Sequence, residues 1–191
     1  MTTALFDLTG VLLRTPSPAA LAGIEEVVGT ASFWPDYADL RPQLDLGEFE
    51  ERHYWDSIAA RGGLAPFDPA AAVAADWAAY LEVDGAALAV AQRAQVAGHA
   101  CGIVADVPTG LSTIMRTEFP WLRSFAAVVL SCDIGLPAAD PRSFQVALEV
   151  MGAGAKGALY VSSSAPALAA AEEAGLTAVT YTGPESVEEF L

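Results

Sequence analysis

Five short β-like runs, Ala4–Phe6, Ala100–Ala105, Ala126–Leu130, Ala158–Val161 and Thr177–Tyr181, constrain this chain more than any other feature. From about residue 95 onward the runs alternate with helical stretches. Strands separated by helices pair in parallel, and a parallel sheet needs cover on both faces. Residues 15–94 contain no such run. They read as helical throughout, punctuated by Pro18, Pro35, Pro42, Gly47, Gly62, Gly63, Pro66, Pro69 and Gly85. The expected fold is therefore α/β: a Rossmann-like parallel sheet core with helices on both faces, and a small helical cap inserted after the first strand. The core takes residues 1–14 and 95–191, and the cap residues 15–94.

Local signals agree. Phe49, Tyr54, Trp55 and Ile58 give one apolar face, which predicts a helix in the cap. Asp140 followed by Pro141 predicts a helix start, Phe144, Leu148 and Met151 share its inner face, and Gly152 supplies the stop. Ser164 and Pro166 open another helix that ends at Gly175. The cap aromatics Phe33, Trp34, Tyr37, Tyr54, Trp55, Phe67 and Trp77 are expected to form the cap's own core.

Charge narrows the function. The formal net charge is −15, which repels phosphate backbones and acidic membrane surfaces, so neither nucleic acid nor membrane is an expected partner. An anionic substrate would need a local positive charge. No apolar run reaches the ~18 residues of a membrane span, and the N-terminus has no signal-peptide pattern. Cys101 and Cys132 fit a reducing compartment, so the expected localisation is cytoplasmic. They fall at opposite ends of the sheet and are expected to be free thiols. The absence of a Cys-x-x-Cys or His-Cys cluster argues against zinc. His53 and His99 read as ordinary packed or surface residues.

Asp7 directly follows the first run, where the carboxyl ends of parallel strands border a ligand crevice. A carboxylate there can be a nucleophile, a metal ligand, or a turn residue bonding its own backbone. The run Asp7-Leu-Thr-Gly-Val11 resembles the first motif of the haloacid dehalogenase-like (HAD) hydrolase superfamily. Gly102-Ile-Val-Ala-Asp106, Gly135-Leu-Pro-Ala-Ala-Asp-Pro141 and Ala158-Leu-Tyr-Val-Ser-Ser-Ser164 stand where its second, third and fourth motifs fall. The helical insertion is similar to the superfamily's small cap, with Leu46-Gly-Glu-Phe49 as a recurring cap segment.

The resemblance implies a chemistry and shows what is missing from it. The first Asp attacks phosphorus, and a second Asp two residues on is the general acid and base. A hydroxyl residue ends the second strand, a Lys occupies the third motif, and acids at the fourth strand join the first Asp in holding Mg²⁺. Here Asp7 matches the nucleophile. Thr9 replaces the acid/base, Ala105 the hydroxyl residue, Ala138 the Lys, and Ser162 and Ser163 the acids. Asp7 and Thr9 are the catalytic candidates. Gly10, Arg14, Asp106 and Arg142 are candidates for ligand binding, with Arg142 the nearest replacement for the missing Lys. Asp106 either faces the cleft or caps the helix that follows it.

A lone carboxylate binds Mg²⁺ weakly and meets a phosphate dianion uncompensated; at ~4 Å that repulsion is ~4 kcal/mol at an effective dielectric of 20. The expected protein is a HAD-fold chain with a degenerate phosphatase site, no metal cofactor, and a small-molecule or protein ligand at the cap–core cleft. An active hydrolase using Asp7 as nucleophile, and a new chemistry on an apolar small molecule, are the alternatives.

Overall fold

The computed structural model describes residues 2–188 and 190. Along the chain run β1 (Thr3–Phe6), α1 (Pro18–Val28), α2 (Trp34–Asp45), α3 (Glu51–Gly62), α4 (Pro69–Ala79), α5 (Gly85–Val96) and β2 (Ala100–Ala105). Then come α6 (Thr109–Glu118), a 3₁₀ turn (Pro120–Ser124), β3 (Ala127–Leu130), α7 (Ser131–Ile134), α8 (Pro141–Met151), β4 (Leu159–Ser162), α9 (Ala165–Glu173), β5 (Thr177–Thr180) and α10 (Glu185–Glu188). The five strands form one parallel sheet in the order β3-β2-β1-β4-β5.

Alternation along the strands feeds two cores. Ala4, Phe6, Ile103 and Val161 point to one face, where α5, α6 and α10 cover them. Leu5, Val104, Val129 and Tyr160 point to the other, under α8 and α9. The helix signals hold: Asp140 accepts from the Arg142 amide at 2.9 Å, Phe144 and Leu148 are buried, and Gly152 takes the left-handed conformation. Ser164 caps α9 in the same way, its hydroxyl accepting from the Ala167 amide.

The insertion has its own core. Ile24, Phe33, Tyr37, Leu40, Tyr54, Trp55 and Ile58 are buried together, and Trp34 and Phe67 pack against them. Trp77 departs from this pattern: it packs against the sheet's core at Gly110 instead. Ala87, Val90, Ala91 and Ala94 of α5 are buried with the sheet, so the unit with a separate core is α1–α4. Alanine-rich helices carry no marker of which core they join, because small side chains suit either.

Both cysteines are free; Cys101 lies inside β2 and Cys132 beyond β3, at opposite ends as expected. Among the described residues no helix is long and apolar enough to cross a membrane.

Candidate functional site at the carboxyl ends of the first and fourth strands

The sheet order reverses at β1: the chain runs outward through β2 and β3, then returns to place β4 on the other side. Ligands bind at such switch points in open α/β sheets. Asp7 leaves β1 here and Ser162 ends β4. The Asp7 amide donates to the Val161 carbonyl at 2.9 Å, which locks the two strand ends together.

Asp7 is only 8% exposed. Its Oδ1 accepts from the Leu8 amide at 2.8 Å, and its Oδ2 accepts from the Ser162 hydroxyl at 2.6 Å. Ser162 in turn accepts from the Ser164 amide at 3.0 Å. Burial drives the Asp7 carboxyl up to about 6, against the pull of Ser162 and the Leu8 amide, and the charge of Asp106 adds to the rise. No cation contributes. Tyr160 lies buried beside it, its hydroxyl donating to the Val104 carbonyl at 3.2 Å.

The turn after Asp7 is tight. The Gly10 amide donates to the Leu13 carbonyl at 2.7 Å, and the Leu13 amide to the Leu8 carbonyl at 2.8 Å. Gly10 has φ of 81°, and a side chain there would strike the Ser163 hydroxyl, so glycine is required on both counts. Thr9 is half-buried within this turn. Arg14 sits beyond it, on a groove of about 470 Å³ shared with Gly10 and Ser163, and its Nε pairs with Glu82 at 3.3 Å.

Asp106 does not cap α6, as one reading of the sequence had it. Its Oδ1 accepts from the Ala138 amide at 2.7 Å, tying the loop after β2 to the loop before α8. Its tip meets solvent in the cleft, yet the surrounding protein still raises its carboxyl above the ordinary value. Ala105 and Ala138 are buried in the two cores and offer no polar group. The exposed guanidinium of Arg142 chelates Asp140, with contacts of 2.6 to 3.1 Å. The chelate holds the Asp140 carboxyl down at about 2.

The cation that does face the cleft was missed in the sequence. Arg41, on α2, hydrogen-bonds the Tyr37 hydroxyl, pairs with Asp45 at 2.8 Å and Asp76 at 3.5 Å, and stacks 4.8 Å over the Tyr80 ring. Its i,i+4 spacing from Asp45 was the one visible signal. Burial pushes the Asp45 carboxyl up to about 6 in spite of that arginine. Tyr37, Arg41, Pro42, Asp45 and Leu46 of the cap face Asp106, Pro137 and Ala139 of the core across a cavity of about 490 Å³.

Cap and core are also stitched directly. The Ser131 hydroxyl donates to the Asp45 carbonyl at 2.5 Å while accepting from the Val107 amide. The Gly110 amide donates to Glu51 Oε1 at 2.7 Å.

Comparison with known proteins follows the same lines. A family model described as haloacid dehalogenase-like hydrolase matches residues 1–175. A HAD family enzyme from Bacteroides thetaiotaomicron superposes with a TM-score of 0.82 at 16% identity, covering 100% of this chain and 98% of that one. The same enzyme is also known in complex with magnesium and inorganic phosphate. A 2-haloacid dehalogenase from Pseudomonas syringae pv. Tomato DC3000 gives a TM-score of 0.65 at 18% identity, over 95% of this chain and 86% of that one. No curated protein matches the sequence. Identities this low carry the fold alone.

Proposed function

This chain belongs to the haloacid dehalogenase-like hydrolase family, and from that premise we propose that its Mg²⁺-dependent phosphatase site is degenerate, leaving a catalytically impaired protein that binds a ligand at the cap–core cleft. The observation that carries this reading is the surroundings of Asp7. Where the family pattern supplies acids, Asp7 meets a serine hydroxyl that donates to it at 2.6 Å, and the lysine's place in the third motif is held by the buried Ala138.

Magnesium fits these residues poorly. It prefers several oxygen donors, carboxylates above all, and gives up its waters reluctantly. Among the described residues no three His, Cys, Asp or Glu side chains come together to hold a metal. Ser162 offers a neutral oxygen whose proton already points at Asp7. Phosphoryl transfer fails on charge as well. A dianion approaching Asp7 would meet Asp106 and, among the described residues, no free cation at this end of the sheet, because Arg41 is held by Asp45 and Asp76. Thr9 cannot shuttle a proton to a leaving group near neutral pH, a loss typically worth ~10²–10⁴-fold. The two free thiols suit a cytoplasmic setting.

The test pairs a Mg²⁺ titration by calorimetry with hydrolysis of p-nitrophenyl phosphate. The wild type should give neither heat nor turnover. A variant carrying Thr9→Asp, Ala138→Lys, Ser162→Asp and Ser163→Asp should bind the metal; Thr9→Asp with Ala138→Lys alone is the milder version if the buried Ser162 position rejects a charge. Mg²⁺-dependent turnover by the wild type that vanishes in Asp7→Asn would sink the proposal. A covalent adduct trapped on Asp7 and seen by mass spectrometry would favour the active-hydrolase reading instead.

A further inference from the structure

We infer that the cap–core cavity is a site for a small apolar cation, an ammonium group on an aromatic or aliphatic body, and not for a phosphate or carboxylate. The inference deepens the binding role proposed above and rests on it.

The cavity of about 490 Å³ is the size of a small-molecule site, and such sites combine apolar walls with a few placed polar groups. Its walls are the Tyr37 ring, Ala38, Pro42, Leu46, Pro137 and Ala139. Three charged residues also line it: Arg41, Asp45 and Asp106.

Arg41 is the only cation among them, and it is spent. Asp45 takes its Nε at 2.8 Å, Asp76 stands 3.5 Å from Nη1, the Tyr37 hydroxyl accepts from it, and the Tyr80 ring covers its face. An incoming anion would have to displace the half-buried Asp45 or the buried Asp76. Asp106 is the reverse case. One oxygen accepts from the Ala138 amide, and no other protein donor reaches the carboxylate among the described residues. It is exposed, and its exposed side faces the cavity. Asp7, at the end of the neighbouring strand, has its carboxyl raised chiefly by burial and in small part by the charge of Asp106. The other arginines flanking this end of the sheet are committed elsewhere, Arg14 to Glu82 and Arg142 to Asp140. Against the single positive charge of Arg41 stand Asp45 and Asp106 in the lining and Asp76 on the same arginine, so the field in the cavity is negative. An ammonium donor can take the free oxygen of Asp106 while its apolar body lies against Tyr37, Pro42 and Pro137.

The probes are three ligands of similar shape: phenethylammonium, 2-phenylethanol and 3-phenylpropionate, titrated by calorimetry or by ligand-observed NMR at fixed ionic strength. The ammonium should bind at least tenfold tighter than the alcohol, and the carboxylate should not bind. Asp106→Asn retains an acceptor for the Ala138 amide, so its melting temperature should stay close to wild type. It should lose the tenfold preference while leaving the alcohol unchanged. Glu149→Gln, on the exposed face of α8, removes the same charge far from the cavity and should change nothing, which separates a site from the general pull of an acidic protein. Ala139→Trp fills the cavity and should abolish binding of both ammonium and alcohol. Preference for the carboxylate, equal affinity for ammonium and alcohol, absence of binding by all three, or an ammonium preference that survives Asp106→Asn would each overturn the inference. Phosphatase turnover is a separate readout: it would refute the degenerate-site proposal without moving these affinities.

Discussion

Two buried aspartates sit on opposite sides of the cleft and are treated differently. Asp76, in the cap, is 1% exposed; it accepts from the Tyr37 hydroxyl at 2.7 Å and has Arg41 at 3.5 Å. Asp7, in the core, is 8% exposed and has a hydroxyl and an amide but no cation. Burial raises both carboxyls. For Asp76 a guanidinium pulls back; for Asp7 only neutral donors do. The cap brought its counter-charge with it and made the pair part of its core. The core holds its acid among neutral donors. One carboxylate is architecture, and the other is an unbalanced charge beside a cavity.

Removing the cap's cation should have the largest effect. Arg41→Met leaves the buried Asp76 and the half-buried Asp45 without a counter-charge, and breaking a buried pair in this way typically costs ~3–5 kcal/mol. Urea unfolding at pH 7.5 should show that loss. Part of it should return at pH 5, where carboxyls pushed upward by burial take up protons. A loss below ~1 kcal/mol would mean the pair is not structural, and the contrast with Asp7 would collapse.

The converse change in the core should be mild and opposite in sign. The folded Asp7 carboxyl lies at about 6, above its ordinary 3.8. A raised group contributes stability that is fully present below the unfolded value, near 4, and lost as pH rises through the folded one, near 6. The loss is at most about 3 kcal/mol. Asp45, also at about 6, acts in the same direction. Asp7→Asn should therefore flatten part of the decline between pH 4 and 7. It should stabilise the protein at pH 7.5 by ~1–2 kcal/mol. The full amount is not expected: Asn can accept from Ser162, but its NH₂ then faces the Leu8 amide, two donors opposed. Urea midpoints at pH 5 and pH 7.5 for both proteins decide it. Destabilisation at pH 7.5 would point to a counter-charge on Asp7 that the geometry does not reveal.

These two sites also mark what the sequence disclosed. The sheet was legible because buried parallel strands are short, apolar and bounded by turns; β2 is Ala100–Ala105 as read, β1, β3 and β5 differ by one residue at one end, and β4 by one at both. Asp7 was legible from its place after β1. Its bond from Ser162 joins residues 155 positions apart, and only the sheet order brings them together. Arg41 stayed hidden for a related reason. Asp45 is one turn away on the same helix, but Asp76 lies on α4, and nothing local says that α2 and α4 converge. Asp106 looked like a helix cap because short acids after strands often are. Here the α6 N-terminus takes Glu51 from the cap instead, at the Gly110 amide.

That last contact offers the smallest test, and the most local one. Pro108 at the start of α6 has no side chain to cap the helix, so a first-turn amide is left for Glu51 to accept from across the cap–core junction. Carboxylates are favoured at helix N-termini, where unpaired amides and the helix dipole both attract negative charge. Glu51→Ala should cost ~1 kcal/mol, in the range of a lost cap. Glu51→Gln keeps an acceptor and loses only the charge, so it should cost ~0.5 kcal/mol. Hydrogen exchange at the Gly110 amide should be faster in the alanine variant and close to wild type in the glutamine one. Equal exchange in all three would show that Glu51 is not attached to the α6 N-terminus, and the contrast between a cap whose acids are partnered and a core whose Asp7 has only neutral donors would no longer stand.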